Sequence, residues 1–425
     1  MILDGLGDRP NPDTNGLSPV VAAKTPHLDR LAAQGMLGQV MLIGPGIAPE
    51  SDAGVMALLG YDPARDSPGR GVLEALGVDI PLAPGDVALR SNFATASGDG
   101  TILDSRVGRS LSTTEAADLS RSINEADLLA NQHVHAELRP TIGHRGVLWL
   151  HPTGGQALSP EVSNSDPFYE RTGGMGHARI VAEPIPLPIE PLTSDPAAAR
   201  TAAALNEWLE KVPALLAGHR VNARRAMRGG KIANVVLLRN AGALPAVPPV
   251  AFALKHGISG AAITEMPVER GIAKLLGLAD IYVGPMGPDR NAALAERARV
   301  ARQALRDHPF VYIHLKGPDE PGHDGDARKK QEIVEDIDRS FFGPFIEGLA
   351  WQTTRVAVTA DHATPAILKR HSDDPVPLLL VGAGVAASSG SPKFGEVPSG
   401  GALGTLRGNE VLARLWAGVP ASSPI

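Results

Sequence analysis

The chain reads FVYIHLKGPDEPGH over residues 310–323, and this stretch decides the fold class. Its apolar part, 310–315, has the length of a strand and ends four residues before Asp319. Short apolar runs that alternate with long helical stretches are typical of buried parallel strands. The sequence therefore predicts an α/β protein with a mostly parallel sheet that is flanked by helices.

The arrangement of an apolar run followed by an acid occurs twice more. The run 355–359 ends two residues before Asp361, and the run 1–3 leads directly into Asp4. Because ligands of such sheets collect at the carboxyl ends of the strands, we expect these acids and Asp319 to lie at one edge of the sheet.

Histidines accompany the two later acids. The D-x-x-x-H spacing of Asp319 and His323 lets one short loop offer an oxygen and a nitrogen to the same ion, and the adjacent pair Asp361 and His362, with His371 following, can do likewise. Carboxylate and imidazole ligands together suit a divalent cation. The alternative is that these are ordinary surface loop residues, since the chain has 13 His.

A nucleophile candidate is Ser51, which directly precedes the apolar run 55–59. A serine before a helical pattern is usually only an N-cap. The two interpretations are compatible, because an oxygen at a helix start lies where free N–H groups favour an anion. Metal coordination would activate the hydroxyl further.

The sequence resembles one known family, the archaeal-type 2,3-bisphosphoglycerate-independent phosphoglycerate mutases, a branch of the alkaline phosphatase superfamily. The resemblance runs in order from the first residues to about Gly404. It rests on segments that the chain shares with the family pattern: DGLGDRP (4–10), TPHLD (25–29), SD (51–52), GYDP (60–63), GRG (69–71), EALG (74–77), NFAT (92–95), HDGD (323–326) and DHATP (361–365).

The resemblance implies an alkaline-phosphatase-like core, two divalent metal ions and a transiently phosphorylated Ser51. It implies interconversion of 3-phosphoglycerate and 2-phosphoglycerate, a step of glycolysis and gluconeogenesis, with no need for 2,3-bisphosphoglycerate. The usual metals of the family are manganese, magnesium, zinc or cobalt. By this resemblance one ion would be bound by Asp4, Ser51, Asp361 and His362, and the second by Asp319, His323 and His371.

A mutase also needs cationic groups that hold the glycerate carboxylate and the phosphate. Arginine presents a planar fork that suits both anions, although each candidate could instead be a solvated loop cation. Family members usually show two adjacent arginines where this chain has Ser105 followed by Arg106, which favours Arg106. The predicted substrate-binding residues are Arg106, Arg109, Arg239 and Lys316.

The strand and motif pattern is split along the chain. Residues 1–77 and 250–425 carry the core motifs, whereas 78–249 is punctuated by Pro and Gly and is predicted to be an inserted α+β cap domain. Helices are expected at Arg290–Asp307 and Ala327–Leu349.

Composition bounds the partners. The chain has 425 residues, a formal net charge of −6 and a pI near 6.1. These values do not indicate the excess of basic residues that is typical of nucleic-acid-binding proteins. It has no cysteine, and no apolar run approaches the ~20 residues of a membrane span. We expect a cytoplasmic protein that acts on a small phosphorylated acid; the sequence does not indicate its oligomeric state.

Rival functions differ in features that can be read from the chain. A sulfatase would need Cys or an S-x-P-x-R setting, and SDAGV at 51–55 fits neither. A homoserine-kinase-like relative would need a nucleotide loop, and RGGK at 228–231 is only a turn. A phosphatase, or a mutase for another phosphorylated or phosphonate acid, would use the same metals and serine, but a phosphatase could dispense with the insertion.

Overall fold

The computed structural model describes residues 1–172, 175–179, 183–387 and 392–417. The chain divides into two compact units. Unit 1 comprises residues 1–67, 250–269 and 276 onward, and unit 2 comprises 68–249 and 270–275. Among the described residues, no helix combines the length and the apolar character needed to cross a membrane.

The strands are β1 (Ile2–Leu3), β2 (Met36–Met41), β3 (Val87–Ala96), β4 (Ile102–Asp104), β5 (Val134–Pro140), β6 (Arg145–Pro152), β7 (Tyr169–Thr172), β8 (Met175–Ala178), β9 (Val235–Gly242), β10 (Ala261–Thr264), β11 (Ala279–Tyr282), β12 (Val311–Leu315), β13 (Arg355–Val358), β14 (Val376–Gly382) and β15 (Thr405–Arg407).

The helices are α1 (Pro19–Ala22), α2 (Pro26–Gln34), α3 (Ser51–Leu58), α4 (Pro63–Asp66), α5 (Arg70–Gly77), α6 (Thr113–Glu125), α7 (Pro196–Ala217), α8 (Arg220–Met227), α9 (Phe252–His256), α10 (Pro267–Leu276), α11 (Arg290–Asp307), α12 (Asp319–Asp324), α13 (Ala327–Ile337), α14 (Gly343–Ile346) and α15 (Val411–Trp416).

Unit 1 contains a parallel sheet of order β1-β12-β10-β11 and a mixed sheet of order β13-β14-β2-β15. A parallel bridge between Ile2 and Thr359 joins β1 to the residue that follows β13. In the mixed sheet β14 runs antiparallel to β13 and β2, so the predicted parallel arrangement holds for only part of this unit. Antiparallel neighbours need no crossover helix, which leaves the connection 359–375 available as a loop.

The strand ends of unit 1 bring the predicted acids to one edge. Leu3 is in parallel register with Leu315, so the chain leaves β1 and β12 on the same side of the sheet. The bridge at Thr359 aligns the end of β13 with them. The segments that begin with Asp4, Lys316 and Ala360 therefore start side by side.

The helix prediction for 290–307 is confirmed by α11, but the single helix predicted over 327–349 is interrupted. After α13, residues 338–342 form a π-helical turn and α14 ends at Ile346. Pro344 has no backbone N–H, so the regular hydrogen-bond register cannot continue through it. The buried Asp338 in this turn accepts the backbone N–H of Leu28 at 2.7 Å, in the first turn of α2.

Unit 2 is built on an antiparallel sheet of order β5-β6-β3-β9, with β4 also paired to β3. Leu119 of α6, Trp208 of α7 and Leu148 of β6 belong to the apolar cluster on one face. Val72 of α5 joins Ala88 of β3 in a smaller cluster. Because α5 packs on β3, the first boundary lies after Ser67 and not after Gly77 as expected from the sequence.

Candidate metal centre

Asp4 follows β1 in a tight turn. Its Oδ2 lies 3.3 Å from the Nζ of Lys316, and its carboxyl group is buried. Gly5 has a φ of +60°, and a Cβ there would come within 2.8 Å of Asp319 and 2.7 Å of Thr364 Oγ1. The glycine therefore allows the loops that follow three strands to meet without a side chain between them.

Ser51 is the first residue of α3 and not its N-cap, so the capping interpretation is wrong. The N-cap is Glu50, whose side chain makes no capping hydrogen bond. The Oγ of Ser51 is buried and lies 3.3 Å from Nε2 of His362. Three residues on, a Cβ at Gly54 would come within 1.9 Å of the carbonyl oxygen of Asp361, so this glycine allows α3 to approach the loop after β13.

The loop after β13 joins the same cluster. Asp361 accepts the backbone N–H of Gly5 through Oδ1 at 3.1 Å, and its Oδ2 lies 3.5 Å from Nε2 of His362. That nitrogen is also 3.4 Å from Oδ1 of Asp4. The structure thus brings together four of the predicted residues, Asp4, Ser51, Asp361 and His362, and we call them the first cluster.

A second cluster contains Asp319, His323 and His371. Oδ1 of Asp319 lies 3.4 Å from Nε2 of His323 and 3.5 Å from Nε2 of His371, and these nitrogens are 3.2 Å apart. Nδ1 of His371 lies 2.9 Å from the carbonyl oxygen of Pro49, and Nδ1 of His323 lies 3.3 Å from that of Lys369. Both rings are thus oriented by backbone, with Nε2 towards the carboxylate.

The two clusters are adjacent. The hydroxyl of Thr364 donates to Oδ1 of Asp319 at 2.7 Å and lies 3.0 Å from Nδ1 of His362. The rings of His362 and His371 stack with centroids 3.8 Å apart. His362 also groups with Asp319 and His371 within 4.8 Å, but its Nδ1 is 3.9 Å from Asp319, so we assign it to the first cluster by its closer Nε2 contacts.

Without a bound cation, the negative charge of Asp319 in the second cluster is neutralised by protonated histidine. Burial and the charge of Asp4 act to raise the pKa of Asp319, but His371 and His362 hold that pKa well below its usual range. Burial lowers the pKa of His371, whereas Asp319 and Glu50 raise it to a net value of about 9. A bound divalent ion would replace these protons as the neutralising charge.

The first cluster fits a cation for a second reason. Oδ1 of Asp4 and Oδ2 of Asp361 are buried and have no hydrogen-bond partner among the described residues. Buried, unpaired carboxylate oxygens are costly unless they coordinate a metal. The residues present therefore fit the predicted ions.

Sequence reasoning missed His314, which lies in β12. Its Nε2 is 3.3 Å from Oδ2 of Asp361 and 3.6 Å from Oδ1 of Asp4, and its side chain is fully buried. The available signal was a polar side chain within an otherwise apolar strand, five residues before Asp319.

Lys316, predicted to bind substrate, contacts carboxylates of unit 1. Its Nζ is 2.7 Å from Oε1 of Glu269 and 3.3 Å from Oδ2 of Asp4. Burial lowers the pKa of Lys316, but Asp4 and Glu269 raise it more, so the net pKa is above its usual range. The lysine remains charged and neutralises part of the acidic cluster.

In unit 2, Arg239 is buried beside Asp166, with its guanidinium 4.2 Å from the ring centre of Tyr169. It is in register with Arg90 across β3 and β9. Arg109 lies exposed in a left-handed turn with φ of +53°. Arg90 could not be identified from the sequence, because the pairing of distant strands is not visible in a linear pattern.

A group of cations surrounds His144 on the loop before β6. Burial lowers the pKa of His144 to about 3, and the charges of Arg145, Arg106, Arg239 and Arg90 contribute in that order. The predicted Arg106 and Arg239 therefore belong to one electropositive group with Arg90 and Arg145, which sequence reasoning did not select. Buried Glu74 contacts Arg70 at 3.2 Å and Arg90 at 3.1 Å and offsets part of this charge.

We expect His144 to make stability depend on pH. Its pKa is near 3 when folded and 6.5 when unfolded, so the unfolded chain binds the proton more readily. The contribution is complete above pH 6.5 and declines as pH falls towards 3, by at most about 1.4 kcal/mol per pH unit. Free energies of unfolding at pH 7 and pH 5 should differ less in His144→Gln than in wild type; an equal difference would contradict the assignment.

The comparisons with known proteins agree with this architecture. Carboxylates and imidazoles meet here beside the ends of the strands, together with a serine at the start of α3. This arrangement is that of an α/β protein with a candidate metal centre. The family model for 2,3-bisphosphoglycerate-independent phosphoglycerate mutase matches residues 32–222. The protein of that name from Aeropyrum pernix is 43% identical over 412 residues, which cover 96% of each chain. The chain belongs to the family of 2,3-bisphosphoglycerate-independent phosphoglycerate mutases, as the sequence motifs predicted.

Two solved structures extend the similarity to the fold. The cofactor-independent phosphoglycerate mutase of Thermoplasma acidophilum is 30% identical, with a TM-score of 0.61 over 97% of each chain. A protein of Pyrococcus horikoshii is 29% identical, with a TM-score of 0.77 over 100% of this chain and 97% of the other. The similarity therefore includes both units.

Proposed function

We propose that the protein interconverts 3-phosphoglycerate and 2-phosphoglycerate through a phosphorylated Ser51, with two divalent ions and without 2,3-bisphosphoglycerate. One observation carries the proposal: the buried Oγ of Ser51 lies 3.3 Å from His362 at the start of α3, in a chain that is 43% identical to a protein named as such a mutase. The first ion would be bound by Asp4, Ser51, Asp361 and His362, and the second by Asp319, His323 and His371.

The reaction consists of two displacements at phosphorus. Divalent ions, when bound, stabilise the entering and leaving oxygens of an in-line displacement. Oγ of Ser51 attacks the phosphorus of 3-phosphoglycerate, the bond from phosphorus to the C3 oxygen breaks, and that oxygen takes up the proton that Ser51 lost. After glycerate reorients, its C2 oxygen attacks the phosphorus on Ser51, the bond from phosphorus to Oγ breaks, and Oγ takes up the proton that the C2 hydroxyl lost.

The start of α3 suits the phosphorylated serine. Backbone N–H groups in the first turn of a helix have no partner within the helix and favour negative charge. The phosphoryl group on Ser51 would be next to these groups. Glycerate must be retained between the two displacements, because escape would leave water to hydrolyse the phosphoserine.

The cations of unit 2 are the candidates for binding the substrate's anionic groups. Arg106 and Arg239 contribute to the positive potential at His144, together with Arg90 and Arg145. In this group of residues the positive side chains outnumber the negative ones. Arg109 is exposed, so no desolvation penalty acts on its charge. The ion pairs of Lys316 with Asp4 and Glu269 favour a role in positioning Asp4. We therefore assign substrate binding to the arginines.

The test is a product assay. Metal-loaded protein incubated with 3-phosphoglycerate should yield 2-phosphoglycerate in excess over free phosphate, and added 2,3-bisphosphoglycerate should leave the rate unchanged. The arginine assignment predicts a large rise in KM for Arg239→Lys, since lysine cannot offer the bidentate fork. Release of phosphate as the main product would identify a phosphatase, and dependence on the bisphosphate would exclude the proposed route.

A further inference from the structure

Among the buried atoms of unit 1 that have no hydrogen-bond partner in the described part of the chain, three face one another. They are Oδ1 of Asp4, Oδ2 of Asp361 and Nε2 of His314. His314 Nε2 is 3.3 Å from the Asp361 atom and 3.6 Å from the Asp4 atom. Three buried polar atoms that converge without hydrogen-bond partners suit the coordination of one cation better than three independent defects.

The other oxygen of each carboxylate is held by the protein. Oδ2 of Asp4 lies 3.3 Å from Nζ of Lys316, and Oδ1 of Asp361 accepts the N–H of Gly5 at 3.1 Å. Each carboxylate is therefore fixed with one oxygen towards the common point. Metal-binding carboxylates are commonly oriented in this way, with hydrogen bonds or ion pairs to the oxygen that does not bind the ion.

His314 is fixed in the same manner. Its Nδ1 forms a hydrogen bond of 3.1 Å with the hydroxyl of Tyr312, and the carboxylate of Glu269 approaches the same nitrogen to 3.3 Å as a neighbouring charge. With a cation bound, the carboxylate beside Nδ1 would keep the ring proton there, and Nε2 would present its lone pair to the ion. A carboxylate, a histidine and then a metal in sequence is the usual arrangement for a ligating imidazole.

The distances distinguish a ligand from a hydrogen-bond donor. An ion with four or five ligands at about 2.0–2.1 Å holds neighbouring ligand atoms about 2.9–3.6 Å apart. From the Asp361 and Asp4 oxygens, Nε2 of His314 lies at 3.3 and 3.6 Å, and Nε2 of His362 at 3.5 and 3.4 Å. Hydrogen bonds from nitrogen to a carboxylate are shorter, at about 2.7–2.9 Å.

We propose that His314 Nε2 is a further ligand of the ion in the first cluster, in addition to Asp4, Ser51, Asp361 and His362. This inference rests on the proposed function, because it assumes that an ion binds there. Two imidazoles at one ion shift its preference from magnesium towards borderline metals such as zinc or cobalt. Glu269 is then a positioning residue that orients the imidazole.

The test counts coordinated imidazoles by X-ray absorption spectroscopy of the full-length protein loaded with zinc or cobalt. Wild type should bind about two ions and show about two imidazoles per ion on average, from His314, His362, His323 and His371. His314→Gln should keep both ions at high metal concentration but lose one imidazole. The cobalt form should also change its visible absorption, and His308→Gln, outside both clusters, should match wild type.

A second variant covers the case in which His314→Gln does not fold. Glu269→Gln should retain all four imidazoles and weaken binding at the first cluster by about 10–100-fold, as expected for an orienting partner. Two bound ions with only three imidazoles in wild type would overturn the inference about His314 and leave the proposed function intact. A wild-type stoichiometry near zero would instead contradict the proposed function.

Discussion

Ser51→Ala should abolish mutase activity and leave the fold intact. Removing a nucleophile that forms a covalent intermediate costs at least about a thousandfold in rate. The fold should be retained, because Ser51 is the first residue of α3 and its replacement removes no capping hydrogen bond. The measurements are the rate of 2-phosphoglycerate formation and the free energy of unfolding.

Ser112→Ala is the matched control for this experiment. The Oγ of Ser112 accepts the N–H of Glu115 and caps α6, so its loss should cost about 1 kcal/mol of stability with activity retained. Ser51→Ala should thus lower the rate and retain the fold, whereas Ser112→Ala should lower the stability and retain the rate. Labelled phosphate from 3-phosphoglycerate should be trapped on the peptide that contains Ser51. A Ser51→Ala protein with wild-type turnover would falsify the proposed nucleophile.

Removing divalent metal should abolish activity, and manganese should restore it. Metal analysis should find about two ions per chain, and Asp319→Asn or His371→Ala should lose about one of them, since each removes a charge or a ligand from a three-residue cluster. Apparent stability should also fall when metal is removed, because ligands that bind only the folded state stabilise it by mass action.

The control for metal loss is again His308→Gln, which should keep both ions. The position of the lost ion distinguishes the two clusters: Asp319→Asn should leave binding at Asp4 and Asp361 nearly unchanged. Full turnover in excess chelator, or equal loss of both ions in every variant, would contradict the assignment of separate ligand sets.

The residues that could be predicted share a simple property. Asp4, Asp319 and Asp361 each follow an apolar run within four residues, so strand periodicity alone indicated their position at one edge of the sheet. His323 follows Asp319 within α12, and His362 and His371 follow Asp361 in the connection 359–375. Local sequence was sufficient here because the geometry of parallel strands brings the following loops together.

The residues that could not be predicted depend on packing between distant segments. His314 is inside a strand, where an apolar pattern hides its role, and Arg90 meets Arg239 only through the register of β3 and β9. Ser51 was expected to be a possible cap because sequence patterns place helix starts only to within a few residues. The π-helical turn after α13 likewise follows from Pro344 and tertiary contacts that periodicity does not report.

The residues of the metal centre lie far apart along the chain, and this has a consequence for biosynthesis. The hydrogen bond from Gly5 to Asp361 joins residues 356 positions apart, and His371 is further still. Closing so long a loop costs entropy before any native contact compensates for it. A ribosome must therefore complete most of the polypeptide before the ligands can meet, whereas residues 68–249 are available earlier as a nearly continuous unit. Metal capture should consequently be a late event in maturation, and nascent chains should be catalytically silent until then.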